Sequence, residues 1–266
     1  MRGHQLFAAM LALALAGRGG AGTMRDSICT DRPGKGSATC TAPKGHWQIE
    51  MSLADWSLTK EGGTRHRELD LGETAIKYGV SDRLHVEIVV PAYVIKAKRS
   101  AGKHDRENGF DDMKVKVKQE LTPEGADFAA AFYPFVKLPT ASKRIGNSKV
   151  EGGLVVPLSW SFGTSPWSLS ASPELDINAD GDGHGYHAGM AQTLSVNLQA
   201  TARLSLSTEY WGSWGWEHGE TSREATLGGN ASYQLSSEWQ LDGEIDFGLT
   251  RDSTGLEISG GVSMRF

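Results

Sequence analysis

Read from its carboxy-terminal end, the chain alternates. In LEISGGVSMRF, Leu256, Ile258, Gly260, Val262, Met264 and Phe266 fall on one face, and Glu257, Ser259, Ser263 and Arg265 fall on the other. The preceding WQLDGEIDFGL sets Trp239, Leu241, Gly243, Ile245, Phe247 and Leu249 against Gln240, Asp242, Glu244 and Asp246. Period two is the mark of a strand with unlike faces. Runs of this length match the roughly 9 to 11 residues that a tilted strand needs to cross a bilayer. The pattern recurs at 46–58, 67–78, 84–95, 110–121, 128–138, 150–162, 167–178, 186–198, 203–214, 223–234, 239–250 and 256–266. These segments predict an all-β fold: a closed antiparallel transmembrane β-barrel of about 12 strands, an even number that puts both termini on the periplasmic side.

The connecting segments support that topology. GVSDR, TPEGAD, GTSP, QATA and LSSE are short, as periplasmic turns are, whereas KAKRSAGKHDRENG, PTASKRIGNSK and SWGWEHGETSR are long, as outward loops are; only RDSTG breaks the trend. Trp47, Tyr78, Phe128, Phe162, Trp167, Tyr233, Trp239 and Phe266 all fall at the periplasmic strand ends, where an aromatic girdle is expected. Pro91, Pro134, Pro157 and Pro173 lie inside predicted strands, where they cannot donate to a ladder, so local bulges are expected there. By parity Pro91 and Pro157 point inward.

Composition is compatible with this reading. Mean hydropathy is -0.35, as a barrel with one polar face allows. No run reaches the roughly 20 apolar residues of a spanning helix. The apolar stretch Leu6–Ala16, behind Arg2 and ahead of small residues, reads as a secretory signal within 1–22. A net charge of -5 offers no basic stripe for nucleic acid. Cys29 and Cys40 are the two cysteines, and in an exported chain they predict a disulfide that staples the segment 23–45 ahead of the barrel at 46–266.

Parity assigns a lumen. Lys114, Lys116 and Lys118 form a lysine ladder with Glu120, and Glu50, Asp70, Glu87, Glu174, Glu209, Asp242, Glu244 and Asp246 share the inward phase. These charges read as a solvated or salt-bridged interior, or as rings that set ion preference. Trp56, Tyr93, Tyr133, Phe135 and Trp211 also fall on the inward phase near the outward ends, as an aromatic vestibule or an upper girdle. In DINADGDGHGYH, Asp176, Asn178, Asp180 and Gly181 follow the start of a calcium-loop pattern, but position twelve is His187 and not Glu; the alternative is a Gly/Asp hairpin tip. No H-E-x-x-H, G-x-S-x-G or Ser–His–carboxylate motif is present, so no catalytic residue, metal ligand or cofactor is assigned.

The phrases ETAIKYGVSDRLHVEIVVPAYV, GFDDMKVKVKQEL, YPFVKLPTAS and SPELDINADGDGHGYH resemble the outer-membrane proteins grouped as meta-pathway phenol-degradation transporters, from about residue 46 to Phe266. The resemblance implies a barrel that admits aromatic or other hydrophobic small molecules, and it carries over no functional residue. The expectation is a monomeric channel or uptake pore in the Gram-negative outer membrane, not an enzyme, with lipid, the barrel-assembly machinery and a small solute as partners. Phe266 stands where that machinery would read its signal. The alternatives are a plugged structural or binding barrel, or a lipid-modifying enzyme.

Overall fold

The computed structural model describes residues 28–123 and 125–266; the expected leader at 1–22, and residues 23–27, lie outside the described residues. The described chain forms β1 (Trp47–Glu61), β2 (Thr64–Leu71), β3 (Thr74–Ser81), β4 (Leu84–Val90), β5 (Tyr93–Ser100), β6 (Lys103–Phe110), β7 (Met113–Glu120) and β8 (Phe128–Leu138). It continues through β9 (Glu151–Val155), β10 (Leu158–Ser161), β11 (Trp167–Ala179), β12 (Tyr186–Gln199), β13 (Leu204–Glu217), β14 (Glu220–Gln234), β15 (Trp239–Gly248) and β16 (Leu256–Arg265). These sixteen segments make twelve staves, because β2 runs on into β3, β4 into β5, β6 into β7 and β9 into β10 across two-residue breaks. Pairing between strands is antiparallel, and β16 closes onto β1 from Arg265–Gln48 to Leu256–Leu58. The closed antiparallel barrel read from the alternation is the fold observed. One outward loop differs: the stretch 96–109 is a hairpin, β5 to β6, turning at Ala101–Gly102.

The barrel is inside-out relative to a soluble protein. Lys77, Lys118, His85 and Gln48 are among its most buried side chains, while Val86, Ile88, Val115, Val117, Leu194, Val196, Leu241 and Ile245 are exposed. In water such an apolar exterior would be an aggregation surface; against hydrocarbon it is the stable arrangement. Aromatic rings band the periplasmic rim, with Trp47 4.8 Å from Tyr78 and Phe128 5.3 Å from Trp160, and Phe162 and Trp167 exposed beside them.

Four neighbouring staves share a crease. β1 buries Gln48, Glu50 and Ser52, then slips one position against β16 between Ser52 and Ala54, after which Asp55 and Ser57 turn inward. The ladders on either side place Leu53 opposite the break at 72–73, that break opposite 91–92, and 91–92 opposite 111–112. Each stave changes face there: β4 buries His85, Glu87 and Val89, whereas β5 buries Val94. Gly72, at φ +76°, and Pro91, without an amide hydrogen, suit a line where the ladder is interrupted.

The crease corrects two inward assignments. Trp56 pairs with Ile258 and Leu69, and Tyr93 with Leu71 and Phe110, so both rings sit on the outer face. A one-residue slip inverts every side chain beyond it. Tyr133, Phe135 and Trp211 remain inside, so the five-ring vestibule does not form. The prolines are also accommodated differently. Pro157 lies in the break between β9 and β10, across which register against β8 and β11 is unchanged; the β7–β8 ladder lapses at Pro134; and Pro173 stays paired with Gln192. The register shifts fall elsewhere, at Ser52/Ala54 and Gly79/Ser81.

Candidate functional site

Residues 28–45 fold into the barrel as a plug. The chain is rich here in Gly, Pro, Ser and Thr and has no strand period, so it forms a loop, closed by the Cys29–Cys40 disulfide with a Cα–Cα distance of 6.2 Å. Both ends are fixed at the girdled rim: the Ile28 amide donates to the Ser237 carbonyl at 2.8 Å, and Lys44 bridges Gly79. A side chain at Gly79 would collide with the Pro43 carbonyl, so this close approach requires glycine.

One side of the plug is held by charge. Asp31 takes ion pairs from Lys77 and Lys118 and accepts the Ala38 amide at 2.9 Å. Lys77 also pairs with Glu50, and lies 3.8 Å from Glu87. Glu87 accepts the Tyr133 hydroxyl and pairs with Lys116 at 3.5 Å. Three carboxylates and three ammoniums therefore meet in one buried network, with Lys118 4.3 Å from the Tyr133 ring centroid. Below it, Glu120 accepts both the amide and the hydroxyl of Thr41, and His85 Nδ1 accepts the Ala42 amide at 3.1 Å. Burial alone would raise the Asp31 carboxyl, but Lys118 and Lys77 outweigh it and hold the group well below the usual carboxylate range.

The tip of the plug crosses to the opposite wall. Arg32 donates from Nε and Nη2 to Asp242 at 3.1 and 2.9 Å. The Lys35 amide donates to Glu209 at 2.6 Å. Its ammonium pairs with Glu257 and lies 3.6 Å from Asp246 and 5.5 Å from the Trp211 ring centroid. Burial opposes charge on Lys35, yet Glu257 and Asp246 raise its ammonium above the ordinary value. Gly261 leaves room for the Arg32 guanidinium, since a Cβ there would lie 2.5 Å from Nε.

The same turn separates two cavities. Arg32, Gly34 and Lys35 face one of about 410 Å³, which holds Asp55, Glu68, Asp70, Glu73, Glu244, Asp246 and Glu257. Pro33, Gly36 and Ser37 face another of about 250 Å³, lined by Ser159, Ser170, Ser172, Ser195, Asn197 and Ser207. Carboxylates outnumber cations around the first, and hydroxyls dominate the second.

The structure thus places the ladder residues Lys116 and Lys118, with Glu50, Glu87 and Glu120, against or beneath the plug, and Glu209, Asp242, Glu244 and Asp246 around its tip. Asp70 borders the acidic cavity. Lys114 and Glu174 are half-buried on the inner faces of β7 and β11. The lysine ladder is therefore not an open stripe, because two of its members are ion-paired. Sequence reasoning held a plugged barrel as an alternative but set the disulfide segment ahead of the barrel and did not identify it as the plug. The available signal was the set of charges on Asp31, Arg32 and Lys35 among small residues, complementary to the lumen charges. The calcium-loop pattern does not close either: Asp176 and Asn178 are extended in β11, paired with Gly189 and His187, and cannot curl around one ion.

A closed lipid-faced barrel with a charged interior and a re-entrant plug defines an outer-membrane β-barrel. Residues 30–266 match the family model described as "Putative MetA-pathway of phenol degradation", and the chain belongs to that family. Among solved structures it is similar to an outer membrane channel from Pseudomonas putida F1, with TM-score 0.70 and 14% identity over 88% of this chain and 99% of the other. It is also similar to the translocator domain of the autotransporter NalP from Neisseria meningitidis, with TM-score 0.55 and 10% identity over 84% and 89%. No curated protein matches the sequence.

Proposed function

We propose that the protein is a passive outer-membrane uptake channel for small aromatic or otherwise hydrophobic molecules, driven by the solute gradient, with no chemical step. The observation that carries this reading is that the plug is one turn thick where it divides the acidic cavity from the serine-lined one. The turn at residues 32–37 stands between the two, held by Arg32 on Asp242 and by Lys35 on Glu209 and Glu257, and loosening it would join them. The family description supplies the aromatic class, and the channel from Pseudomonas putida is a neighbour of the same architecture. Trp211, beside Lys35, offers a ring face at the constriction.

Conductance in planar bilayers and phenol entry into liposomes test the proposal. Wild-type protein should pass both ions and phenol, with a cation preference set by the carboxylates of the acidic cavity. Lys35→Ala should raise the flux, and Ser170→Trp, which fills the serine-lined cavity, should abolish it. Absence of flux from wild type and Lys35→Ala alike would instead favour a plugged scaffold, for which the ion network around Asp31 is the supporting observation.

A further inference from the structure

Two outward hairpins meet at a cluster that the channel reading does not use. The β11–β12 connection carries Asp180 and Asp182, and β12 begins with Tyr186 and His187. The β13–β14 hairpin turns at His218–Gly219, with positive φ at both residues (49° and 86°), as a two-residue turn of primed type requires. That turn aims His218 back at the neighbouring loop. His218 Nε2 lies 3.5 Å from Asp180 Oδ2 and 3.6 Å from Asp182 Oδ2. The other oxygen of Asp180 is bonded to His187 Nδ1 at 2.9 Å, and Glu217 accepts the Gly181 amide at 2.7 Å, tying the hairpins together.

We propose that Asp180, Asp182 and His218 form a site for a divalent transition-metal ion of the zinc class, with His187 positioning Asp180. The distances favour an ion over a hydrogen bond. Ligand atoms about 2.0 to 2.2 Å from a tetrahedral zinc lie roughly 3.4 Å from each other, close to the separations at His218 and longer than the 2.9 Å bond at His187. A ligating carboxylate is usually itself hydrogen-bonded through its second oxygen, which is the part His187 plays. The site is also kept open, because a Cβ at Gly185 would stand 2.5 Å from Asp180 Oδ2. Asp180 is 9% exposed, and its ion-pair partners among the described residues are imidazoles, with no lysine or arginine. Imidazole with carboxylate selects the zinc, nickel and cobalt class over calcium, which prefers oxygen ligands alone. Three protein ligands leave a fourth position for water, so the ion is exchangeable and would pin the two hairpins at the outer rim. This inference does not depend on the channel reading.

The test is titration of detergent-folded full-length protein with cobalt chloride, read by visible ligand-field absorption, and with zinc chloride by calorimetry. One equivalent of either ion should bind. His218→Asn and Asp182→Asn should each weaken binding at least tenfold, and His104→Ala, on the β5–β6 hairpin, should leave it unchanged. Binding that survives His218→Asn, or calcium competing equally with cobalt, would overturn the proposal. Heat-modifiable gel mobility identifies folded variants. On the wild-type protein, zinc should protect His218 from diethylpyrocarbonate while His104 still reacts, and equal reaction of both would overturn it independently.

Discussion

The two sides of the barrel treat the plug differently. Staves formed by β1–β7 are creased, and their lower parts bring Lys77, Lys118, Glu50 and Glu87 onto Asp31 in a network with almost no access to solvent. Staves formed by β11–β16 are unbroken and long, 10 to 15 residues each. Their contacts with residues 36–39 are hydroxyl bonds such as the Ser37 amide to Ser172 Oγ at 3.1 Å. Buried ion pairs add little net stability, because desolvation offsets attraction, but losing one partner strands the other. One wall thus holds Asp31 in a buried ion cluster, whereas the other grips the tip through Arg32 and Lys35 and meets residues 36–39 only through hydroxyls beside the serine-lined cavity.

The largest effect should come from breaking the anchor. Asp31→Ala leaves Lys118 and Lys77 short of a carboxylate, which costs about 3–5 kcal/mol at a buried pair; plug release should appear as raised conductance. Ser172→Ala on the smooth wall removes one neutral hydrogen bond, about 0.5–1.5 kcal/mol, and should leave conductance near wild type. Equal responses would erase the distinction between the walls.

On the outer face the two sides should instead behave alike. Val117→Arg on the creased side and Leu194→Arg on the smooth side should each cost about 2–4 kcal/mol near mid-membrane, measured by refolding into lipid. Tolerance of either would show that its stave does not face hydrocarbon there.

Removing the disulfide with Cys29→Ser and Cys40→Ser frees a short loop, an effect of about 2–4 kcal/mol. It acts on the plug more than on the wall. Conductance should fluctuate more while the unfolding midpoint in denaturant stays close to wild type, and a large fall in that midpoint would make the plug part of the barrel's own stability.

The smallest effect is that of acid. Because the Asp31 carboxyl is depressed in the folded protein, its contribution is present above the ordinary carboxylate pKa of about 3.9 and is lost only as pH falls through the lower folded value. Conductance should therefore not open at Asp31 between pH 7 and about 4. Opening at pH 5 that Asp31→Asn abolishes would contradict the assignment.

Strand positions were legible because every stave has one face in lipid, so Val115, Val117 and their counterparts repeat at period two. The edges of β8 coincide with the predicted 128–138. The crease was legible at one point alone, Pro91, where an irregularity was expected and the break at 91–92 lies; alternation is intact on both sides, so Trp56 and Tyr93 look inward if parity is carried across it. The plug was illegible for a different reason. A loop held by scattered partners, Asp31 to β3 and β7, Arg32 to β15 and Lys35 to β13 and β16, has no period to read.

Both ends of the plug leave by the same rim, at Ser237 and at Trp47. It is therefore a knob on two strings, not a thread through a bead. Tension applied from the periplasm would draw it out whole, breaking its ion pairs to the wall but no ladder between staves. The disulfide would keep it folded on the way out, and withdrawal should be repeatable.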